Sequence, residues 1–183
     1  HAHIRYLEAM AKIGAAERLF KGIKVINPIL IKENVKNALP RQSNVYFSSS
    51  DGDFPTRYQA DRDFDKLRTG EVKVKGGWRL YSSGPGIFLR QLINSFLGIN
   101  FLDNQLYIDP VIPKSLNGLK FHFKFKNHEL NVTYEIEEEA GVNQAIVNGK
   151  VIPRNTNLRK YRKSGVLIPD CLLMDKNEII IKM

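Results

Sequence analysis

The sequence GGWRLYSSGPGIFLRQLINSFLG, residues 76–98, decides how the first half of the chain is interpreted. It begins with a glycine pair and a short aromatic strand, turns through serine and glycine, and ends as an amphipathic helix. Pro85 suits the first helical turn, Ser83 suits its N-cap, and Gly98 suits the residue that ends the helix. Helical spacing predicts one wide apolar face made of Phe88, Leu89, Leu92, Ile93, Phe96 and Leu97.

The start of this helix is a candidate anion receptor. Unpaired backbone N–H groups, the hydroxyls of Ser82 and Ser83, and the small volume of Gly84 suit a phosphate or sulfate. Serine and glycine ahead of a helix are also ordinary capping residues, and the helix terminus itself contributes only about 0.3–1 kcal/mol. An anion site here therefore needs basic or histidine partners from elsewhere in the chain.

The composition bounds the class of protein. The chain has 183 residues, of which 43% are hydrophobic and 26% charged, as is typical of a globular protein with a sizeable core. No apolar stretch approaches the roughly 18 residues of a membrane span. The single cysteine, Cys171, cannot form an internal disulfide, and its apolar surroundings place it in the core rather than at a reactive site. We therefore expect a cytoplasmic protein without a membrane partner.

The net charge of +9 is concentrated in the first half of the chain. Residues 1–98 carry 16 Lys and Arg against 9 Asp and Glu, a balance of +7, whereas residues 99–183 carry 12 against 10. A basic half is compatible with nucleic acid, a membrane surface or a phosphorylated substrate. Because the positive residues are scattered among acidic ones and form no known binding motif, nucleic acid is not an expected partner.

Residues 1–26 predict two consecutive helices that meet at Gly14, and Pro28 ends the pair. Residues 30–75 are less regular, with a short strand predicted at 44–47. Asp51 and Asp53 have a spacing that suggests a metal ligand pair. They lack the further oxygen ligands and the distal glutamate of a calcium loop, so we predict a solvated turn and no metal site.

From about residue 100 onward, alternation with a period of two predicts strands, joined by hairpin turns at residues 127–128 and 148–149. In the run at 119–127, the three phenylalanines share one face and His122 lies on the solvent face. Asp109 is expected to organise the start of the strand-rich part. The strand-like runs begin at Leu106, Leu119, Glu129, Gln144, Gly165 and Asn177.

The order of elements predicts an α+β multidomain fold. Helices come first, and an antiparallel β-sandwich of six or more strands follows a boundary near residues 100–104. Three helices with long loops do not make a self-sufficient bundle. We therefore expect the helical half to be one edge of a larger helical domain that begins before His1.

Four segments in a fixed order resemble the C-terminal part of glycoside hydrolase family 94, which comprises cellobiose and chitobiose phosphorylases and their oligoglucan-acting relatives. The segments are HAHIRYLEAMAKIG, VINPI, GGWRLYSSGPGIFLRQLINSFLGI and LYIDPVIPKSLNGLKFHFKF. The resemblance implies the last helices of an (α/α)6 barrel over residues 1–100 and a jelly-roll-like β-sandwich over residues 101–183. The pattern SSGPG at residues 82–86 is closer to the branch that resembles oligoglucan phosphorylases and cyclic glucan synthases, so cellobiose itself is the less favoured substrate.

The resemblance also implies a glycosyltransferase reaction. Inorganic phosphate attacks the anomeric carbon of a β-linked oligosaccharide and releases a sugar 1-phosphate of inverted configuration. Since phosphate is the nucleophile, one general acid suffices, and the second carboxylate of an inverting glycosidase is unnecessary. No other cofactor is implied. The family's acid is an aspartate upstream of residue 1, so we expect no catalytic residue in this chain and a partner in the upstream part of the same polypeptide. The family is often dimeric, which leaves a homodimer open.

The phosphate-binding residues follow from alignment with the family's motifs. Its phosphate-binding histidine falls on His1, with His3 as the second choice, and its Thr-Gly pair falls on Ser82 and Ser83. Serine keeps the hydroxyl at the first position, whereas at the second a side chain replaces glycine. With Gly84, these residues form the expected phosphate site, in agreement with the anion receptor inferred from spacing.

Candidate sugar contacts come from the family's sugar-contacting segment, which aligns with RQSNVYF. They are Arg41, Gln42 and Tyr46. Trp78 could stack on a sugar or lie in the core. Two alternatives to the enzyme remain, a non-catalytic carbohydrate-binding or scaffold segment and, more distantly, a basic nucleic-acid binder.

Overall fold

The computed structural model of the protein describes residues 2–27, 51–75, 84, 86–138, 141–155 and 161–183. These residues belong to two compact units. One lies within residues 21–89, and the other combines residues 2–20 with residues 90–183. The predicted strand at 44–47 and the predicted helix stop at Pro28 lie outside the described residues.

The first two helices are α1, Ala2–Lys12, and α2, Ala16–Ile26. Gly14 between them has φ 74°, which glycine adopts without strain. The Ala15 N–H donates to the Met10 carbonyl at 2.9 Å and the Gly14 N–H to Ala11 at 3.1 Å, the two bonds of a Schellman motif. The prediction of two helices meeting at Gly14 is confirmed.

Residues 51–75 contain a two-stranded sheet and two short helices. Strand β1, Asp51–Gly52, pairs antiparallel with β2, Val74–Lys75. The solvated turn predicted for residues 51–53 is therefore wrong for Asp51 and Gly52. Asp53, which follows the strand, is exposed. Helices α3, Arg57–Asp63, and α4, Lys66–Thr69, were not predicted because they bury no residue and show no apolar period. The available signal was a capping pattern, since the Gln59 N–H donates to Thr56 Oγ1 at 3.2 Å.

The helix predicted from residues 76–98 is α5, Ile87–Arg90, which continues as a π-helix at Gln91–Phe96. Gly98 has φ 73°, as expected of the residue that ends a helix. The single apolar face predicted for this helix is wrong in part, because Leu89 and Ile93 are exposed while Gln91 is buried. The π-helix bonds i to i+5, so it shifts later residues away from the α-helical face that the spacing assumes.

In the described part of the chain, eight strands follow the helix. The three-stranded antiparallel sheet has the order β3-β4-β9, and the five-stranded mixed sheet has the order β5-β6-β10-β7-β8. Together they form the expected β-sandwich. Their bounds are β3, Ile99–Leu102; β4, Gln105–Ile108; β5, Lys120–Phe125; β6, His128–Glu135; β7, Gln144–Val147; β8, Lys150–Pro153; β9, Val166–Ile168; and β10, Lys176–Lys182. Short 3-10 helices occupy Lys114–Leu116 and Asp170–Leu172.

The prediction that every strand is antiparallel is wrong. Strand β10 pairs parallel with β6 over seven residues, from Lys176 with Glu129 to Lys182 with Glu135, and antiparallel with β7. Alternation predicts the two faces of a strand but not its neighbour, and these two strands are far apart in sequence. The five-stranded sheet is therefore mixed.

The hairpin turns show which sequence signals were strong. Asn148 and Gly149 have φ values of 49° and 83°, both positive as in a type I′ turn, so this predicted hairpin is confirmed. The hairpin predicted at residues 127–128 exists, but its turn lies one residue earlier, where Lys126 has φ 52°. Asp103 and Asn104 make a further turn of positive φ between β3 and β4, a hairpin that was not predicted.

The core of the sandwich comes from the inward residues of the alternating strands. On β6 these are Leu130, Val132 and Tyr134, and on β10 they include Ile179 and Ile181, all at most 1% exposed. The faces predicted for β5 are confirmed, because Phe125 is buried, Phe121 and Phe123 are half-buried, and His122 is exposed. Among the described residues, no helix is long and apolar enough to cross a membrane.

Candidate functional site

Most predicted site residues lie outside the described residues. This holds for the phosphate-site candidates His1, Ser82 and Ser83 and for all four candidate sugar contacts. The latter are Arg41, Gln42, Tyr46 and Trp78. Two related positions are described. Gly84 is half-buried ahead of α5, and His3, the second choice for the histidine, is half-buried on α1 with its ring 5.7 Å from Tyr6. The predicted constellation stays a prediction.

The described helix that follows the predicted site in sequence is α5 with its π-helical continuation. Inside its π-helical portion, Ser95 Oγ donates to Gln91 Oε1 at 2.6 Å, and the Leu97 N–H donates to the Leu92 carbonyl at 2.9 Å. Gln91 is only 6% exposed, so its amide is a buried polar group that the wider turn accommodates. π-Helical turns occur frequently at functional sites, and this one lies just after the predicted phosphate-binding turn.

The carbonyls at the end of this helix are held by donors from the β-sandwich. The Val111 N–H donates to Phe96 at 3.0 Å and the Asp109 N–H to Gly98 at 2.9 Å. The hydroxyl of Tyr134 donates to the Leu97 carbonyl at 2.8 Å. The last carbonyls of a helix have no partner within the helix, and here three consecutive ones are paired with residues distant in sequence, up to 37 positions away.

Asn100 adds a side-chain donor to the same helix end. Its Nδ2 donates to the carbonyls of Asn94 and Gly98, both at 2.9 Å, and Asn94 Nδ2 donates in return to the Ile99 carbonyl at 2.8 Å. We call Asn100, Asp109, Val111 and Tyr134 the donor cluster. With it, the end of the last helix is bonded to strands β3 and β6 and to the segment that follows β4.

The two buried tyrosines of the sandwich both donate to backbone carbonyls. Tyr134 is 0% exposed and bonds the helix end, whereas Tyr107 is 3% exposed and donates to the Ser164 carbonyl at 2.8 Å. Burial raises the pKa of the Tyr134 hydroxyl because the charged form is desolvated. The hydroxyl therefore stays protonated, and remains a donor, throughout the neutral pH range.

A buried ion pair lies at the start of the sandwich, where Asp109 was expected to organise the chain. Asp109 Oδ1 is 3.3 Å from a guanidinium nitrogen of Arg162, and the two side chains are 5% and 13% exposed. The same guanidinium nitrogen donates to the Pro110 carbonyl at 3.2 Å. Asp109 Oδ1 accepts no hydrogen bond from any described residue, so the arginine charge is its main compensation. This arrangement fixes the backbone at residues 109–110.

The described candidate groups outside the donor cluster are Cys171 and the acidic and histidine side chains. Cys171 is exposed, so its predicted place in the core is wrong. The apolar run DCLLM contains a 3-10 helix at Asp170–Leu172, and the Cys171 side chain on it faces solvent. Within the part of the chain that the structure describes, no group of three or more His, Cys, Asp and Glu is arranged to hold a metal ion.

The sequence analysis did not predict the roles of Asn100, Val111, Tyr134 and Arg162, whereas it did single out Asp109. Alternation in ELNVTYE already places Tyr134 on the same face as Leu130 and Val132, and a buried tyrosine needs a hydrogen-bond partner. The signal for a buried polar anchor was therefore present. The acceptor is the Leu97 carbonyl, 37 residues away, and no local sequence pattern indicates that it pairs with Tyr134.

Comparison with known proteins identifies similar sequences. The family described as "Glycoside phosphorylase C-terminal domain" matches residues 98–180, which include all of β3 to β9 and most of β10. A protein of Listeria innocua serovar 6a named 1,2-beta-oligoglucan phosphorylase is 47% identical over all 183 residues. The chain covers 16% of that relative's length.

The two matches cover different lengths of the chain, and both are to phosphorylases. The family match covers the sandwich, and the relative's identity extends back through the helices to residue 1. Both agree with the resemblance carried by the four sequence segments. Residues 98–180 are thus similar to the C-terminal domain of glycoside phosphorylases, and the whole chain is similar to part of one such enzyme.

Proposed function

We propose that this chain is the C-terminal part of an inverting glycoside phosphorylase, a glycosyltransferase that uses inorganic phosphate to cleave β-linked glucans to a sugar 1-phosphate. The observation that carries the proposal is the 47% identity to a named phosphorylase over the whole chain. At this identity we expect the two proteins to share both the side chains that take part in the reaction and those that stabilise the fold. The function would belong to the complete polypeptide.

The contribution of this chain is the phosphate-binding side of the site, made of His1, Ser82, Ser83 and Gly84. Hydroxyls and backbone N–H groups at a helix start bind anionic oxygens, and a histidine that donates an N–H adds a charge-assisted bond. The basic balance of residues 1–98 favours an anionic co-substrate in the same half of the chain. No cofactor other than phosphate is proposed.

The sugar side of the site involves Arg41, Gln42, Tyr46 and Trp78. An aromatic ring gives an apolar face for a pyranose, and the polar groups would orient its hydroxyls. The general acid is proposed to be an aspartate upstream of this chain, so no residue here is assigned a proton-transfer step. Phosphate, as the nucleophile, replaces the base that an inverting glycosidase uses to activate water.

The domain arrangement is part of the proposal. Residues 1–100 would complete an (α/α)6 barrel, and residues 101–183 would form the C-terminal sandwich, a division supported by the family match at 98–180. We place the protein in the cytoplasm.

The proposed substrate is a β-1,2-linked oligoglucan. It is supported by the printed name of the relative and by the SSGPG pattern, which already disfavoured cellobiose. The test is to incubate the full-length polypeptide with β-1,2-oligoglucans or with cellobiose, each with and without phosphate, and to measure sugar 1-phosphate.

We expect product only with phosphate, and far more from the β-1,2-oligoglucans. Sugar binding that is indifferent to phosphate, with no turnover, would replace the proposal by the non-catalytic alternative. Tight duplex binding with a steep salt dependence would favour a nucleic-acid partner. The 183 residues alone serve as a negative control, since the acid lies outside them.

Replacing Ser82 by alanine in the full-length polypeptide tests the phosphate site. Losing a hydrogen bond to an anion costs about 1.5–3 kcal/mol, so we expect the KM for phosphate to rise roughly 10- to 100-fold. The KM for the oligoglucan should change much less. Ser115, an exposed serine of the 3-10 helix before β5, offers a control in Ser115→Ala, which should change neither. An unaltered phosphate KM in Ser82→Ala would remove Ser82 from the site.

A further inference from the structure

We propose that the outward side of helix α3 is a docking surface for the part of the same polypeptide that lies upstream of this chain. The surface is made of exposed side chains, Arg57, Tyr58, Asp61 and Arg62 on α3 and Phe64 directly after it. The inference concerns how the complete protein assembles. It shares with the proposed function only the premise of a longer polypeptide, and it does not depend on the reaction.

The backbone around α3 is well bonded, so the directions of its side chains are defined. We call residues 51–75 the α3–α4 lobe. The Asp53 N–H donates to the Lys73 carbonyl at 2.9 Å, which extends the pairing of β1 with β2. The Val72 N–H donates to the Lys66 carbonyl at 3.1 Å, which ties α4 to the chain that enters β2.

The α3–α4 lobe nevertheless has almost no core among the described residues. Neither of its helices has a buried residue. Its apolar contacts centre on Gly52, where an added Cβ would lie 2.6 Å from the Phe54 ring and 2.8 Å from a Leu67 methyl carbon. Phe54 and Leu67 are themselves only half-buried. Ordering each residue costs about 1–2 kcal/mol of backbone entropy, so this lobe needs a further surface to pack against.

The outward side of α3 has the side chains that such a contact uses. Tyr58 is 72% exposed and Phe64 is 58% exposed. The Arg57 guanidinium lies 4.9 Å from the centroid of the Tyr58 ring and donates to the Tyr58 hydroxyl at 3.0 Å. These two contacts hold the tyrosine in place although most of it is exposed. Tyrosine and arginine are enriched among the residues that dominate interface energies, and a ring already held in place loses little entropy on docking.

The size of the surface favours a partner within the same polypeptide over a second copy. Helix α3 has seven residues, so it is about 10 Å long and about 10–12 Å wide with its side chains. Its outward side therefore covers on the order of 100 Å² in projection, far less than the roughly 800 Å² that each partner buries in a stable dimer. A tethered partner can bind through a smaller contact, because the tether keeps its effective concentration high.

The length of the relative shows where such a partner would come from. This chain covers 16% of that protein's length. In a polypeptide of similar length, most of the surface that could cover α3 belongs to the part outside this chain. We therefore assign the contact to the upstream part and not to a separate protein.

The first test measures thiol reactivity in the full-length polypeptide carrying Asp61→Cys. Asp61 is exposed and lies one helical turn beyond Arg57 and Tyr58, so the change keeps both of them. The exposed Cys171 is the internal reference. We expect the introduced thiol to react at least about tenfold more slowly than Cys171 in the native protein, and at the same rate after unfolding, when the two labelled peptides are compared by mass spectrometry. Equal rates in the native protein would overturn the inference.

The second test identifies what covers the surface. Tyr58 is replaced by the photoreactive p-benzoylphenylalanine, which keeps an aromatic ring at this position, and the cross-linked peptides are sequenced. We expect cross-links within one molecule to residues upstream of this chain. Cross-links to a second copy, or to residues of this chain alone, would overturn the inference. So would a reactive thiol that becomes protected only when a β-1,2-oligoglucan is added, since the surface would then bind sugar. Phosphate-dependent turnover is measured separately, so failure here leaves the proposed function unchanged.

Discussion

Replacing Gly98 by alanine is expected to destabilise the β-sandwich by about 3–5 kcal/mol, although the change adds only one methyl group. Gly98 has φ 73°, a conformation that costs a residue with a Cβ about 1–2 kcal/mol. A Cβ at this position would also overlap the backbone of Asp109 and Pro110. Backbone atoms cannot move aside as the end of a flexible side chain can. The helix and the sandwich would therefore have to move apart.

The measurement is amide hydrogen exchange of β4, β6 and β10 in the full-length polypeptide, which reports the free energy of opening of this domain. Gly149→Ala is the matched control. Gly149 has φ 83°, and a Cβ there would meet nothing within 4 Å, so this variant carries the conformational cost alone. We expect the two variants to differ by at least about 2 kcal/mol. Equal losses would show that Gly98 matters only for its φ.

Replacing Arg162 by alanine is expected to cost about 3–5 kcal/mol, because it would leave the Asp109 carboxylate buried without its counter-charge. The Asp109 side chain is 5% exposed, and no described residue donates a hydrogen bond to its Oδ1 that could replace the lost partner. The Arg162 side chain also lies alongside Gly14, so some packing is lost with the charge. Arg162→Leu keeps more of that packing and separates the two effects.

A double-mutant cycle with Asp109→Ala measures the ion pair itself. Removing both partners should cost clearly less than the sum of the single losses, with a coupling of about 1–3 kcal/mol. The exposed pair Lys182–Glu135, at 3.6 Å, is the comparison, and Lys182→Ala should cost no more than about 1 kcal/mol. Additive losses at Asp109 and Arg162 would mean that the two side chains act independently.

Local sequence patterns predicted several turns and strands, but they did not predict which strands pair in the sheets. The Schellman corner at Gly14 and the Asn148-Gly149 hairpin each depend on a few adjacent residues, and both turns were predicted. The parallel pairing of β10 with β6 depends on two strands far apart in sequence, and it was missed. The hairpin at Asp103-Asn104 was missed although its turn residues are typical, because INFL shows no alternation.

The π-helix shows where spacing arguments fail within one element. Leu89 and Ile93 fit the apolar stripe of an ideal α-helix, yet both are exposed, whereas Gln91 in the π-helical portion is buried. An argument from periodicity assumes a constant number of residues per helical turn, so it does not detect a local change in that number. The family resemblance, by contrast, came from motif order and was confirmed by both comparisons. The assignment of phosphate to the turn at residues 82–84 depended on that resemblance, because serine and glycine ahead of a helix are used both for capping and for anion binding.

The central claim is that the turn ahead of the last helix binds inorganic phosphate, with an imidazole from the start of the chain opposite it. A crystal structure of the full-length polypeptide soaked in phosphate tests this most directly. We expect a phosphate whose oxygens lie about 2.7–3.2 Å from Ser82 Oγ and from a ring nitrogen of His1. An empty turn at a phosphate concentration that supports turnover, or a His1 ring pointing away from it, would contradict the account.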